Sequence, residues 1–163
     1  MQFGGNYLLG VPRQAVWAAL NDTEILKAAI PGCRSISWTG VATLDLEIKV
    51  DLGPVHPVFG GNLTLSDVVP AHSYLLSGRG RGGLLGLAHG AARIALADAA
   101  DGGTALSFVA QGGASGQLMR LGRALIGQSA QHVIDGFFAR FAAAMGAPLT
   151  ILPPPDAVAA PGS

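Results

Sequence analysis

The segment QLMRLGRALIGQSAQHVIDGFFARFAAAM, Gln117–Met145, decides how the rest of the chain is read. Projected at the helical period, Leu118, Met119, Gly122, Leu125, Ile126, Ala130, Val133, Phe137 and Phe141 share one broad face. Arg120, Gln128, Gln131 and Asp135 fall on the other. Ser115 or Gly116 can open such a helix, and Gly146 followed by Pro148 can close it. The spacing predicts one continuous helix, about 43 Å long at ~1.5 Å per residue. Its apolar stripe needs an equally long apolar partner. Gly122, Ser129 and Gly136 leave gaps along that stripe rather than filling space. Such a lid covers either a tightly filled core or a cavity, and the small residues favour a cavity.

The partner lies upstream. Gln2–Leu9 reads as a first strand. Pro12 suits the first turn of a helix, and Val16, Trp17 and Leu20 recur at helical spacing over Arg13–Leu20. Trp17 is expected as a core anchor. Asn21 or Asp22 can cap a second short helix with Ile25, Leu26 and Ala29 as its apolar side, and Pro31-Gly32 ends it. Strands follow. Leu44, Leu46, Ile48 and Val50 alternate with Thr43, Asp45, Glu47 and Lys49, which is one buried face and one wet one. Phe59, Leu63 and Leu65 continue the pattern after Gly53-Pro54. Tyr74 and Leu76, Ile94 and Leu96, then Leu106 and Phe108 mark further strands, with Asp101-Gly102-Gly103 as a hairpin turn. Six or seven short strands joined by turns make an antiparallel sheet, so the fold class is α+β. No internal repeat is evident. Residues 1–146 form one domain, and 147–163, with Pro148, Pro153, Pro154, Pro155 and Pro161, reads as an extended, flexible tail.

Composition narrows the function. Half of the 163 residues are hydrophobic and 12% are charged, with ten basic residues balancing ten acidic ones. No basic stripe offers itself to nucleic acid. The single Cys33 excludes an internal disulfide and fits a reducing compartment, as a free buried thiol. Met1–Gly10 lacks the basic and long apolar regions of a signal peptide, and no run reaches the roughly 18–20 apolar residues of a membrane span. A cytoplasmic protein with peripheral membrane contact is expected.

Catalytic and metal signatures are missing. His56, His72, His89 and His132 are far apart and show no ligand spacing. There is no G-x-S-x-G elbow and no paired carboxylate motif. Gly78-Arg79-Gly80-Arg81-Gly82-Gly83 matches G-x-G-x-x-G, but strands flank it on both sides where a dinucleotide site needs a helix after it. Its glycines instead let a strand bend or approach a neighbour closely. Arg79 and Arg81 are either a small site for an anionic partner or a pair of solvated charges. What remains as a functional feature is apolar surface between sheet and helix.

The order strand, two short helices, antiparallel strands and long helix is similar to that of the START-like (SRPBCC) helix-grip superfamily. Motif by motif the chain resembles CoxG, a family of carbon monoxide dehydrogenase accessory subunits. The resemblance rests on Val16-Trp17-Ala18-Ala19-Leu20-Asn21-Asp22, Ile30-Pro31-Gly32-Cys33, Gly53-Pro54-Val55, Phe59 with Gly61, and Leu65-Ser66-Asp67. It continues through the glycine segment 78–90, Leu121-Gly122 with Leu125-Ile126, and Phe137-Phe138-Ala139-Arg140-Phe141. Thr23 stands where the family commonly has proline, and His56-Pro57 replaces a lysine-containing pair, which weakens a basic docking spot there. The resemblance implies a curved antiparallel sheet wrapped around a long C-terminal helix. It also implies an accessory protein, not an enzyme, that accompanies a molybdenum hydroxylase of the CO-dehydrogenase type at the inner membrane face. No covalent cofactor is expected. The lipophilic ligand implied is a respiratory quinone or another lipid, and the alternative is a dry-cored docking and membrane-recruitment module without one. Alternation and helix phase give the expected apolar lining as Leu46, Ile48, Phe59, Leu63, Leu76, Leu85, Leu87, Leu106 and Phe108 from the sheet. Leu118, Gly122, Leu125, Ile126, Ser129, Val133 and Phe137 are expected from the helix.

Overall fold

In a computed structural model of the chain, the residues described are 1–83 and 86–152. Strand β1 (Gln2–Leu9) leads into helices α1 (Arg13–Leu20) and α2 (Thr23–Ala29). Pro12 precedes α1, and the Asp22 carboxylate caps α2 by accepting the Glu24 backbone N–H at 3.0 Å. Strands β2 (Cys33–Trp38), β3 (Thr43–Lys49), β4 (Val58–Val69), β5 (Ser73–Arg81), β6 (Leu87–Asp98) and β7 (Thr104–Ser115) follow. A 3-10 turn (Gly116–Leu121) then leads into α3 (Arg123–Met145), and β8 (Leu149–Leu152) closes the described chain.

All strands form one antiparallel sheet in the order β2-β3-β4-β5-β6-β7-β1-β8. The two short helices and α3 cover one face. The eighth strand is an addition to the expected six or seven: Leu149–Leu152 pairs with the far edge of β1. Part of the segment read as a flexible tail is therefore sheet, because Leu149 is half-buried against the core and Pro148 O accepts the Gly10 N–H at 2.9 Å. Residues 153–163, the rest of that reading, lie outside the described residues.

The single helix expected over Gln117–Met145 is corrected to two pieces. Gly122 has φ +88° and ψ 147°, a backbone state that favours glycine, and it separates the 3-10 turn from α3. The break lets Leu118 turn into the interior while Met119 stays 45% exposed. Gly146 ends α3 in the left-handed conformation, as the sequence suggests.

The core is concentrated at one end of the sheet. Rows of residues opposite one another across β5, β6, β7 and β1 read Tyr74-Ile94-Phe108-Gly5 and, one step on, Leu96-Leu106-Tyr7. Against them pack Val16 and Ala19 of α1 and Phe138, Phe141 and Ala142 of α3. Tyr7 stacks on Phe138 with ring centroids 4.0 Å apart, and Phe108 lies 5.3 Å from Phe138. Thr104, fully buried, satisfies its hydroxyl by donating to Val11 O at 2.7 Å.

Candidate functional site

The other end of the sheet is nearly bare. Continuing the inward-facing rows away from the packed end gives Leu76-Ala92-Ala110-Phe3, then Leu63-Gly78-Gly90-Gly112, then Leu46-Gly61-Gly80-Ala88-Ala114. Two successive rows through the middle of the sheet thus carry only glycine and alanine. The first turns of α3 pass over this strip, and the fully buried residues of α3 all lie in its second half: Phe138, Phe141 and Ala142. Bulky side chains fill the gap between helix and sheet at one end and are missing at the other.

The result is an open cavity of about 500 Å³, within the range typical of small-molecule sites. Its floor is Gly61, Gly78, Gly80, Ala88, Gly90, Ala92, Ala110, Gly112 and Ala114. Leu46, Ile48, Val50, Leu52, Phe59, Leu63 and Leu76 make one wall, and Leu118, Ile126, Ser129, Ala130, Val133 and Ile134 the roof. Among the described lining residues Ser129 alone bears a hydroxyl. Asn62, Arg79, His89 and Gln111 reach the lining through backbone, since alternation turns their side chains to the opposite face. A volume this apolar suits a molecule whose bulk is hydrocarbon.

The structure separates the residues expected to line this space. Leu46, Ile48, Phe59, Leu63, Leu76, Leu118, Ile126, Ser129 and Val133 do line it. Leu106 and Phe108 lie further along β7 in the packed core, and Phe137 stacks on Phe141 there at 5.4 Å. Leu87 faces outward from β6 and is 44% exposed. Gly122 forms the break before α3, and Leu125 points to Gly53 on the 51–55 turn. Leu85 lies outside the described residues. Gly136, read as a gap in the stripe, serves a close approach instead: a Cβ there would stand 2.8 Å from Pro31 Cγ. The floor was missed because glycine and alanine give no apolar signal of their own. The clue was phase: Ala88, Gly90 and Ala92 continue the alternation of Ile94 and Leu96, as Ala110, Gly112 and Ala114 continue that of Leu106 and Phe108.

Titratable groups near the site are few. Burial pushes the Tyr7 phenol up, with the Asp135 carboxylate adding to the effect, and its hydroxyl lies over Gly5, where a Cβ would come within 2.8 Å. Burial likewise raises the Cys33 thiol, against smaller opposing effects of the Ser35 backbone and Lys27. This cysteine, half-buried where full burial was expected, is therefore a poor nucleophile. Among the described residues no group of three or more His, Cys, Asp or Glu could hold a metal ion.

The sequence profile of CoxG, the carbon monoxide dehydrogenase accessory family, matches residues 5–146. The chain belongs to the CoxG family. A CoxG protein is an accessory subunit of carbon monoxide dehydrogenase. No curated protein matches this CoxG chain in sequence. Among solved structures it is similar to a conserved protein from Geobacillus kaustophilus, at 23% identity and TM-score 0.79, covering 90% of this chain and 99% of that one. It is also similar to the Zhui aromatase/cyclase from Streptomyces sp. R1128, at 12% identity and TM-score 0.64 over 90% and 93% of the two chains. Ara h 8.0201 gives 14% identity and TM-score 0.64 over 89% and 97%. At these identities the likeness establishes the fold, and the CoxG chain is a helix-grip protein of the SRPBCC type, as its order of elements implies. Among the described residues no helix is long and apolar enough to cross a membrane.

Proposed function

We propose that this CoxG-family chain is a non-catalytic accessory that holds a lipophilic ligand, a respiratory quinone, between sheet and helix. In this reading it links a soluble molybdenum enzyme of the CO-dehydrogenase type to the inner face of the cytoplasmic membrane, with peripheral membrane contact. One observation carries it: the apolar hollow of about 500 Å³ over the glycine and alanine strip. An unfilled cavity of this kind costs stability, which favours a ligand over a dry docking module. An isoprenoid chain matches the aliphatic walls, and the lining offers little hydrogen bonding to a polar ligand.

The test is displacement of a fluorescent apolar probe by decylubiquinone from delipidated protein. Saturable displacement is expected, weakened at least tenfold by Ser129→Leu combined with Ala130→Leu, which fill the roof. Absence of saturable quinone binding, or equal binding by the filled variant, would remove the ligand from the reading. Co-purification of the filled variant with carbon monoxide dehydrogenase would then leave docking as the role.

A further inference from the structure

The outer face of the same sheet carries a second concavity, a groove of about 870 Å³. Alternation brings six polar side chains to it: Asn62 and Thr64 of β4, Ser77 and Arg79 of β5, His89 of β6 and Gln111 of β7. Asn62 is opposite Arg79, and Arg79 is opposite His89, so the three form one row across neighbouring strands, ~4.8 Å apart. Thr64 and Ser77 form the adjacent row. The imidazole of His89 extends over β7, where a Cβ on Gly113 would stand 2.9 Å from Nε2. The absent side chain at Gly113 thus gives the ring its place in the groove wall.

The charge of this groove is one-sided. Among the described residues its lining has no aspartate or glutamate. Among them, too, Arg79 forms no ion pair and no side-chain hydrogen bond. An arginine with its donors uncommitted, flanked by an amide and an imidazole, matches an oxyanion whose several oxygens accept at once. A carboxylate can satisfy the guanidinium fork alone. A phosphate group has oxygens enough to share among Arg79, Asn62 and His89. The neighbouring Arg81 is on the same face of β5 but outside the groove.

We propose that this outer groove is a phosphate-binding site centred on Arg79, with Thr64, Ser77 and Gln111 receiving the polar remainder of the ligand. The phosphate belongs to a phosphorylated small molecule or to a phospholipid headgroup. The site is independent of the apolar cavity, from which the thickness of the sheet separates it.

Isotope-labelled full chain titrated with inorganic phosphate at constant ionic strength, against chloride, is the experiment. Saturable shifts of the Asn62, Arg79 and His89 amides are expected. Arg79→Ala should weaken binding at least tenfold, and Arg81→Ala less than twofold, with both unfolding at the temperature of the parent. Glycerol 3-phosphate and phosphatidylglycerol vesicles then separate the sources. Arg79-dependent binding of the first assigns a soluble ligand, and Arg79-dependent sedimentation with the second assigns a headgroup. Shifts that do not saturate, that chloride reproduces, or that Arg81→Ala abolishes as fully as Arg79→Ala would overturn the site.

Discussion

Gly90 and Gly112 sit directly opposite one another on β6 and β7, with Gly78 next in the same row on β5. Beneath the first half of α3 the sheet therefore presents backbone and no side chain. Two elements that elsewhere meet through Tyr7, Phe108 and Phe138 are held apart here by the walls alone. The hollow belongs to the sheet more than to the helix.

If that space is enclosed and unfilled, a larger roof residue should fit into it. Ala130→Leu is expected to stabilise the fold by roughly 1 kcal/mol, since the added carbons leave water without displacing neighbours. The same variant should bind apolar probes at least tenfold more weakly. Thermal unfolding and probe titration read the two effects. A destabilised Ala130→Leu would mean that the roof is already packed.

The two halves of α3 should differ sharply in what truncation costs. Phe138 is buried and stacked on Tyr7, so Phe138→Ala should cost about 3–5 kcal/mol. Val133 is half-buried over the cavity, and Val133→Ala should cost less than ~1 kcal/mol, because few contacts are lost. Urea denaturation of both variants makes the comparison. Similar losses would place the core along the whole helix.

Adjacent glycines on β4 give an internal control. A Cβ on Gly61 would collide with the Arg79 carbonyl oxygen, whereas one on Gly60 meets nothing within 4 Å. Gly61→Ala should cost about 2–4 kcal/mol by forcing β4 and β5 apart, and Gly60→Ala should stay within ~0.5 kcal/mol of the parent. Denaturation midpoints decide it, and a tolerated Gly61→Ala would show that the cavity floor can accept side chains.

Alkaline stability should report Tyr74. It meets Trp17 edge-on, ring centroids 5.5 Å apart, and burial pushes its phenol up from 10.0 to about 12. Below its unfolded value both states keep the proton and the stability is fully present. Above it the unfolded chain loses the proton first, so stability falls as pH climbs toward 12. The expected loss is on the order of 2 kcal/mol, and Tyr74→Phe should flatten that part of the profile. Urea midpoints measured from pH 9 to 11.5 test this; parallel curves for the two proteins would assign the loss to other groups.

Period-two alternation over 43–50 placed Leu44, Leu46 and Ile48 on the covered face, and the Pro12 and Asp22 signals located α1 and α2. Each depends on neighbours in sequence, so each was legible without a structure. The assignment of cavity residues divided along a different line. Leu106 and Leu46 carry the same apolar alternation, yet one is sealed in the core and the other lines the hollow. The difference lies in what faces them across the gap, which strand register and helix placement decide.

The amino-acid pattern by itself determined an antiparallel sheet, two short helices, a covering helix and an apolar face between them, because backbone periodicity and local capping are short-range properties. Only the tertiary structure decided that glycines and alanines of β4 to β7 align in adjacent rows beneath the first turns of α3. It also decided that Asn62, Arg79 and His89 meet on the reverse side. Both outcomes come from pairing across strands distant in sequence, where a residue's role is set by its opposite number.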